Sequence, residues 1–261
     1  MRPWGVGLPA SAWLRAFSFK ANARDAALPV HPLSEDGTVD NSVHVLPERV
    51  LNAQSEQLLH GLYLIAIVAE AMTAALSAGR RNMDWVGVYL LGCVTALGGG
   101  SVRDVLLGHY PLSWVQHPSY LLITGGAALA TIAIARYMHR LRHVFLFLDA
   151  VGLVCFTVIG CNVAIGLGMP FTIVIASGLI TGCVGGVLRD ILCADVPLLF
   201  RAELYATVSV ATGMIYVAGQ ATELNHSLVM LAAMLIGLAF RLLALRYKWS
   251  MPKFVYTHDL H

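Results

Sequence analysis

Six ionisable side chains stand in or beside long apolar runs: Glu70, Arg103, Asp104, Asp149, Arg189 and Asp190. In such surroundings a carboxylate can hold a cation, and a guanidinium can hold a carboxylate. Either group survives there only when it is paired or wet. Four of the six form two Arg-Asp pairs, each preceded by glycines. The first is "GGGSVRD", with Gly98, Gly99 and Gly100; the second is "VGGVLRD", with Gly185 and Gly186. Glycine in a helix costs about 1 kcal/mol relative to alanine. Adjacent glycines either permit a kink that bares carbonyl oxygens or let two helices approach closely. Insertion scales put each buried charge at roughly 2.5–3.5 kcal/mol, so six facing lipid would total on the order of 15–20 kcal/mol. That exceeds the net stability of a typical protein. The six groups therefore pair, face a water-filled path, or lie near the interface. They read as an ion-pair lock, for example Arg103 with Asp190 and Arg189 with Asp104, or as the lining or gate of a path. Neighbours on one helix do not face each other, so partners are expected from other helices.

Other chemistry finds little support. No serine, cysteine or histidine is grouped with a base at a recognisable spacing, so no enzymatic activity is expected. "GGGSVRD" lacks the lysine, the spacing and the preceding strand of a phosphate loop. The five cysteines show no CxxC spacing and read as small buried thiols, so no metal site and no cofactor are expected. The closing "YTHDLH" could catch a metal, but reads as a frayed tail.

The elements that carry these residues must be membrane helices. Of the 261 residues, 57% are hydrophobic and only 12% charged. A soluble domain carries roughly 25% charged residues, and half of that cannot coat a soluble globule. A spanning helix needs about 20 mainly apolar residues. Seven runs qualify: Leu58–Ala78, Trp85–Leu107, Tyr120–Met138, Val144–Leu167, Phe171–Leu192, the rather short Leu204–Ala218, and Ser227–Tyr247. They are long and apolar on all sides, unlike the short alternating strands of a membrane barrel. The basic loops alternate with loops almost free of Lys and Arg. One side collects Arg80, Arg81, Arg136, Arg140, Arg142, Arg201, Arg246, Lys248 and Lys253. That bias predicts an outside N-terminus and a cytoplasmic C-terminus. The basic loops read as topology anchors able to touch anionic lipid heads, and no nucleic-acid partner is expected. Residues 1–56 mix prolines with charged and polar residues. They read as a mostly disordered tail without a secretory signal. The organised pattern begins only near Gln57, as it would after a misassigned translation start.

A shift of 86 residues superposes the two motifs, with nine of 21 positions identical between Gly92–Leu112 and Gly178–Leu198. Upstream, "AEAM" around Glu70 can be set against "LDAV" around Asp149 if the second copy carries about seven extra residues. The expected organisation is a three-helix repeat over 57–138, a second over 139–220, a seventh helix over 221–248 and a cytoplasmic tail over 249–261. Three is odd, so consecutive repeats insert with opposite topology. Inverted repeats with Gly-interrupted segments in matching positions are the pattern of transport proteins.

Two three-helix repeats, each with a GGGxxRD-like motif, and a seventh helix resemble the bacterial relatives of the trimeric intracellular cation (TRIC) channels. That group is also described as a glycine transporter family. "VAEAMTAALSAGRRNMDWVGV", "TALGGGSVRDVLLGHYPLSWV" and "GGVLRDIL" carry the resemblance, which extends from about Gln57 to Lys248. It implies a homotrimer in a bacterial inner membrane, with one path per subunit for a small monovalent cation such as potassium. It also implies second and fifth helices kinked at the glycines; Val184 replaces the first glycine of the second copy. The residues leave the permeant open. Carbonyls at Gly98–Gly100 and Val184–Gly186 would suit potassium. Arg103 or Arg189 with Glu70 or Asp149 would suit the two charges of glycine. A scaffold that transports nothing is the alternative of a different class. Under it, Arg103→Ala and Arg189→Ala would cost folding and leave no flux to lose.

Overall fold

The computed structural model describes residues 53–249 apart from 136, 138–140, 202, 203 and 223. The predicted N-terminal tail up to residue 52 and the closing "YTHDLH" lie outside the described residues. Among the described residues every regular element is a helix. In order these are α1 (Ala53–Arg80), α2 (Trp85–Leu107), the short α3 (Ser113–Gln116), α4 (Ser119–Ala135), α5 (Leu141–Gly166), α6 (Phe171–Leu192), the short α7 (Leu198–Arg201), α8 (Tyr205–Gln220) and α9 (His226–Tyr247).

Five of them, α1, α2, α5, α6 and α9, are long and apolar enough to cross a membrane. The sequence predicts seven. Of the other two, α8 has 16 residues, and α4 is described over 17, up to the undescribed residue 136. At 1.5 Å per residue, 16 residues reach about 24 Å, short of a hydrocarbon layer of about 30 Å. α8 is also interrupted by polar residues: Tyr205, Ser209, Thr212, Tyr216 and Gln220 recur on one buried face. The helices begin and end within a few residues of the predicted runs. α1 is already helical at Ala53, inside the predicted tail, and α5 at Leu141, three residues before the predicted Val144; each is the first described residue at that point. The short helices α3 and α7 have no apolar run to betray them.

Local chemistry sets the ends. Asp84 caps α2 by accepting from the Gly87 amide at 2.7 Å, and Gly108 closes it in the left-handed region at φ 67°. Asn225 caps α9 by accepting from the Ser227 amide at 2.9 Å. Arg81, in the turn after α1, pairs with Asp195 after α6 and donates to the Ala194 carbonyl at 3.4 Å. The two turns therefore share one side of the bundle. Both partners are partly exposed, so Arg81→Ala is expected to lower stability by about 1 kcal/mol or less. Thermal melting of the variant in detergent checks this.

The helices pack as two triples. α1, α2 and α4 contact one another, as do α5, α6 and α8; α2–α6 and α1–α5 join the triples, and α9 lies on α8 and α5. The α2–α6 contact is built on glycine. A methyl group on Gly99 would run into the Thr181 carbonyl oxygen, and one on Gly185 into the Thr95 carbonyl oxygen. The contact is reciprocal at the 86-residue shift. Both helices run unbroken through their glycines. These glycines bring two helix backbones together; neither helix is interrupted there.

Candidate functional site

Three helices deliver charge to one buried point. Arg189, from the last turns of α6, is its centre and is fully buried. Its Nη1 donates to Asp149 Oδ1 of α5 at 2.9 Å and to Thr73 Oγ1 of α1 at 2.9 Å. It stands 3.7 Å from Glu70 Oε2 of α1. Its Nε donates to Asp190 Oδ1 at 2.9 Å. The guanidinium lies over the Phe145 ring, 4.7 Å from the centroid. Glu70, Asp149 and Asp190 are 1%, 0% and 4% exposed, so water does not screen the cluster. Asp190 also reaches outward: its Oδ2 accepts from the Leu198 amide at 2.8 Å and fastens the start of α7.

The first motif is simpler. Arg103 donates from Nε and Nη2 to Asp104 Oδ1 at 2.9 and 2.7 Å. His109 Nδ1 lies 3.1 Å from the same oxygen, and Ser113 Oγ donates to Oδ2 at 3.4 Å. Arg103 meets one carboxylate, whereas Arg189 meets three.

This overturns part of the sequence reading. Arg103 is bonded to Asp104 and Arg189 to Asp190, within each motif; neither Arg103–Asp190 nor Arg189–Asp104 is formed among the described residues. The rule that adjacent residues diverge holds for short side chains. An arginine is long enough to fold its guanidinium back to the next carboxylate when no other partner is nearer. A glycine stands three positions earlier in each motif, where an added Cβ would come into ordinary contact with the guanidinium, 3.7 Å from Arg103 Nη2 at Gly100 and 3.5 Å from Arg189 Nη2 at Gly186. Gly98 instead makes space for Leu188, whose Cδ1 would be 2.6 Å from an added Cβ. Gly98 also borders a cavity of about 230 Å³ with Cys93, Val94, Leu97, Ser101, Trp114 and Leu121, whose walls are almost wholly apolar.

The sequence reading missed Thr73, Phe145, Tyr205 and Arg241. Arg241, fully buried on α9, places its guanidinium 4.6 Å over the Tyr205 ring. Its signal was present as the first charge in an otherwise apolar helix. Tyr205 gave none. Its Oη would be 3.4 Å from a Cβ on Gly186, so Tyr205 Oη and Arg189 Nη2 converge beside that glycine. Among the described residues, Asp149 Oδ2, Arg189 Nη2 and Tyr205 Oη are buried without a hydrogen-bond partner.

A family model described as "Glycine transporter" matches residues 61–136 and again 146–221. The UPF0126 inner membrane protein YadS of Escherichia coli (strain K12) is 35% identical over 199 residues, covering 76% of this chain and 96% of its own. The UPF0126 membrane protein YvgT of Bacillus subtilis (strain 168) is 32% identical over 198 residues, covering 73% and 94%. The TRIC trimeric intracellular cation channel orthologue from Rhodobacter sphaeroides superposes with a TM-score of 0.71 at 34% identity, covering 74% of this chain and 99% of that one. The two family matches begin 85 residues apart (146 − 61) and also end 85 apart (221 − 136). The two matches are equal in length, so they give no support to a second copy longer by seven residues; Glu70 and Asp149 meet on one arginine.

Proposed function

The chain belongs to the glycine transporter family of TRIC-like membrane proteins, and on that premise we propose that it is a membrane cation channel whose buried Glu70–Asp149–Arg189–Asp190 cluster handles the permeant. The observation that carries this is charge balance. Three carboxylates surround one guanidinium, all nearly or wholly buried. Ionised, they leave two negative charges uncompensated, and low-dielectric surroundings strengthen their attraction for a cation. Asp149 Oδ2 offers a free ligand atom. In this reading α1, α2 and α4 form one three-helix repeat and α5, α6 and α8 its inverted partner, with α9 outside both. All seven span the membrane. The protein is a homotrimer in a bacterial inner membrane, with its N-terminus outside and C-terminus cytoplasmic. Loop charge and the relatives named above support this arrangement.

Potassium is the expected permeant. Potassium flux and labelled glycine uptake, followed in one proteoliposome preparation, test it. Asp149→Asn should keep the trimer and lower potassium flux by about tenfold or more, since one unit charge at about 4 Å is worth up to about 4 kcal/mol at an effective dielectric of 20. Unchanged flux in a folded Asp149→Asn trimer would remove the cluster from the path.

A second reading rests on the three buried atoms without partners. Arg189 Nη2 and Tyr205 Oη could hold a carboxylate beside Gly186, and Asp149 Oδ2 an ammonium, as a glycine zwitterion requires. There, Gly186→Ala should abolish saturable glycine uptake. Potassium flux with no glycine uptake in the unaltered protein would exclude this reading.

A further inference from the structure

Glu70, Thr73, Ser77 and Arg80 recur at i, i+3, i+7 and i+10 along α1, which puts them on one helix face. The first three are buried and Arg80 is exposed, so this polar stripe leads from the cluster to solvent. Its members are linked: Thr73 Oγ1 lies 3.1 Å from Glu70 Oε2, and Arg80 Nη2 donates to Ser77 Oγ at 3.2 Å. Facing it on α5 is Phe145, one turn before Asp149 and 6% exposed. Its ring takes the buried Arg189 guanidinium at 4.7 Å and the exposed Arg80 guanidinium at 5.1 Å from the centroid. A single aromatic ring therefore touches both the innermost cation of the cluster and the cation at its mouth.

We infer that Phe145, clamped by Arg80 and Arg189, is the gate on this end of the path, and that the polar stripe Glu70–Thr73–Ser77–Arg80 is the route it closes. The inference rests on the cation-channel reading. A closed gate needs an apolar barrier and a repulsive charge, and the ring and Arg80 supply one each. Opening needs only a side-chain rotation of Phe145, at the loss of two cation–π contacts. Conversely, a permeant cation that draws Glu70 and Asp149 to itself weakens their hold on Arg189, and with it the inner half of the clamp.

The test measures access to the stripe independently of transport. Ser77→Cys in the full-length trimer is treated with a cationic methanethiosulfonate reagent. Site-resolved mass spectrometry separates the introduced thiol from the five native cysteines. The introduced thiol should label slowly, and adding Phe145→Ala should speed it about tenfold or more, the scale of two lost cation–π contacts. Phe145→Leu and Arg80→Gln, milder changes that keep the helix packed, should each speed it about a few-fold. Potassium flux should rise in the same order. If labelling is equally fast with and without Phe145, or slow in every variant, the gate is wrong. Faster labelling with no potassium flux in any variant would leave the gate standing and remove the channel reading.

Discussion

Arg189→Ala is expected to cost about 3–5 kcal/mol of folded stability, the usual loss when one partner of a buried ion pair is removed. Glu70, Asp149 and Asp190 would then face one another with no cation between them, and Thr73 would lose its donor. The size-exclusion profile and the drop in melting temperature in mild detergent both read it. Arg103→Ala should cost clearly less, because Arg103 has a single carboxylate partner and Asp104 keeps His109 and Ser113. The cause can be separated from lost packing. If uncompensated charge is responsible, Asp149→Asn combined with Arg189→Ala should be more stable than Arg189→Ala alone. If the double variant is no better, the guanidinium acts by filling space. Equal losses for Arg103→Ala and Arg189→Ala would contradict the unequal environments of the two motifs. The comparison also bears on the scaffold alternative, which predicts losses of folding and no flux in any variant.

Gly185→Val, together with its counterpart Gly99→Val, should be the most damaging change among the motif glycines. The added Cβ lands on the Thr95 carbonyl oxygen, which belongs to a helix backbone and cannot swing away. α2 and α6 must separate, and because Gly99 makes the reciprocal contact on Thr181, the whole crossing opens. Overpacking of this kind costs about 1–3 kcal/mol, with the larger side chain at or above the upper end. Gly99→Val should match it. Gly61→Ala is the control of opposite sign: nothing lies within 4 Å of an added Cβ there. In a helix interior this exchange is neutral or stabilising by up to about 1 kcal/mol. Melting curves of the three variants side by side decide the matter. A Gly185→Val protein as stable as the parent would mean that the helices do not touch at that point.

Much of the architecture could be read without coordinates because it depends on local composition. A 20-residue apolar run has no stable alternative to a helix in a bilayer, so the seven helices appear near their predicted places. α8 proved short, since hydropathy blurs where a polar stripe enters a helix. The Arg-Asp motifs and the repeat were visible as identities at a fixed shift. The need for buried partners followed from the cost of charge in hydrocarbon.

Which partners these would be was not legible. The bonding of Arg103 to Asp104 and of Arg189 to Asp190 depends on which carboxylates packing brings within reach of each guanidinium. The convergence of Glu70 and Asp149 on Arg189 depends on the rotation and height of α1 and α5 against α6. Tyr205, Phe145 and Arg241 entered the site by the same route. The sequence by itself determined that this is an all-helical membrane protein with paired glycine and Arg-Asp motifs, because helix formation and membrane insertion are decided over a few turns of chain. Only the tertiary structure decided that one motif carries three carboxylates and the other a single one. Packing between helices sets distances across dozens of residues, and a shift of one turn would have given Arg189 different neighbours.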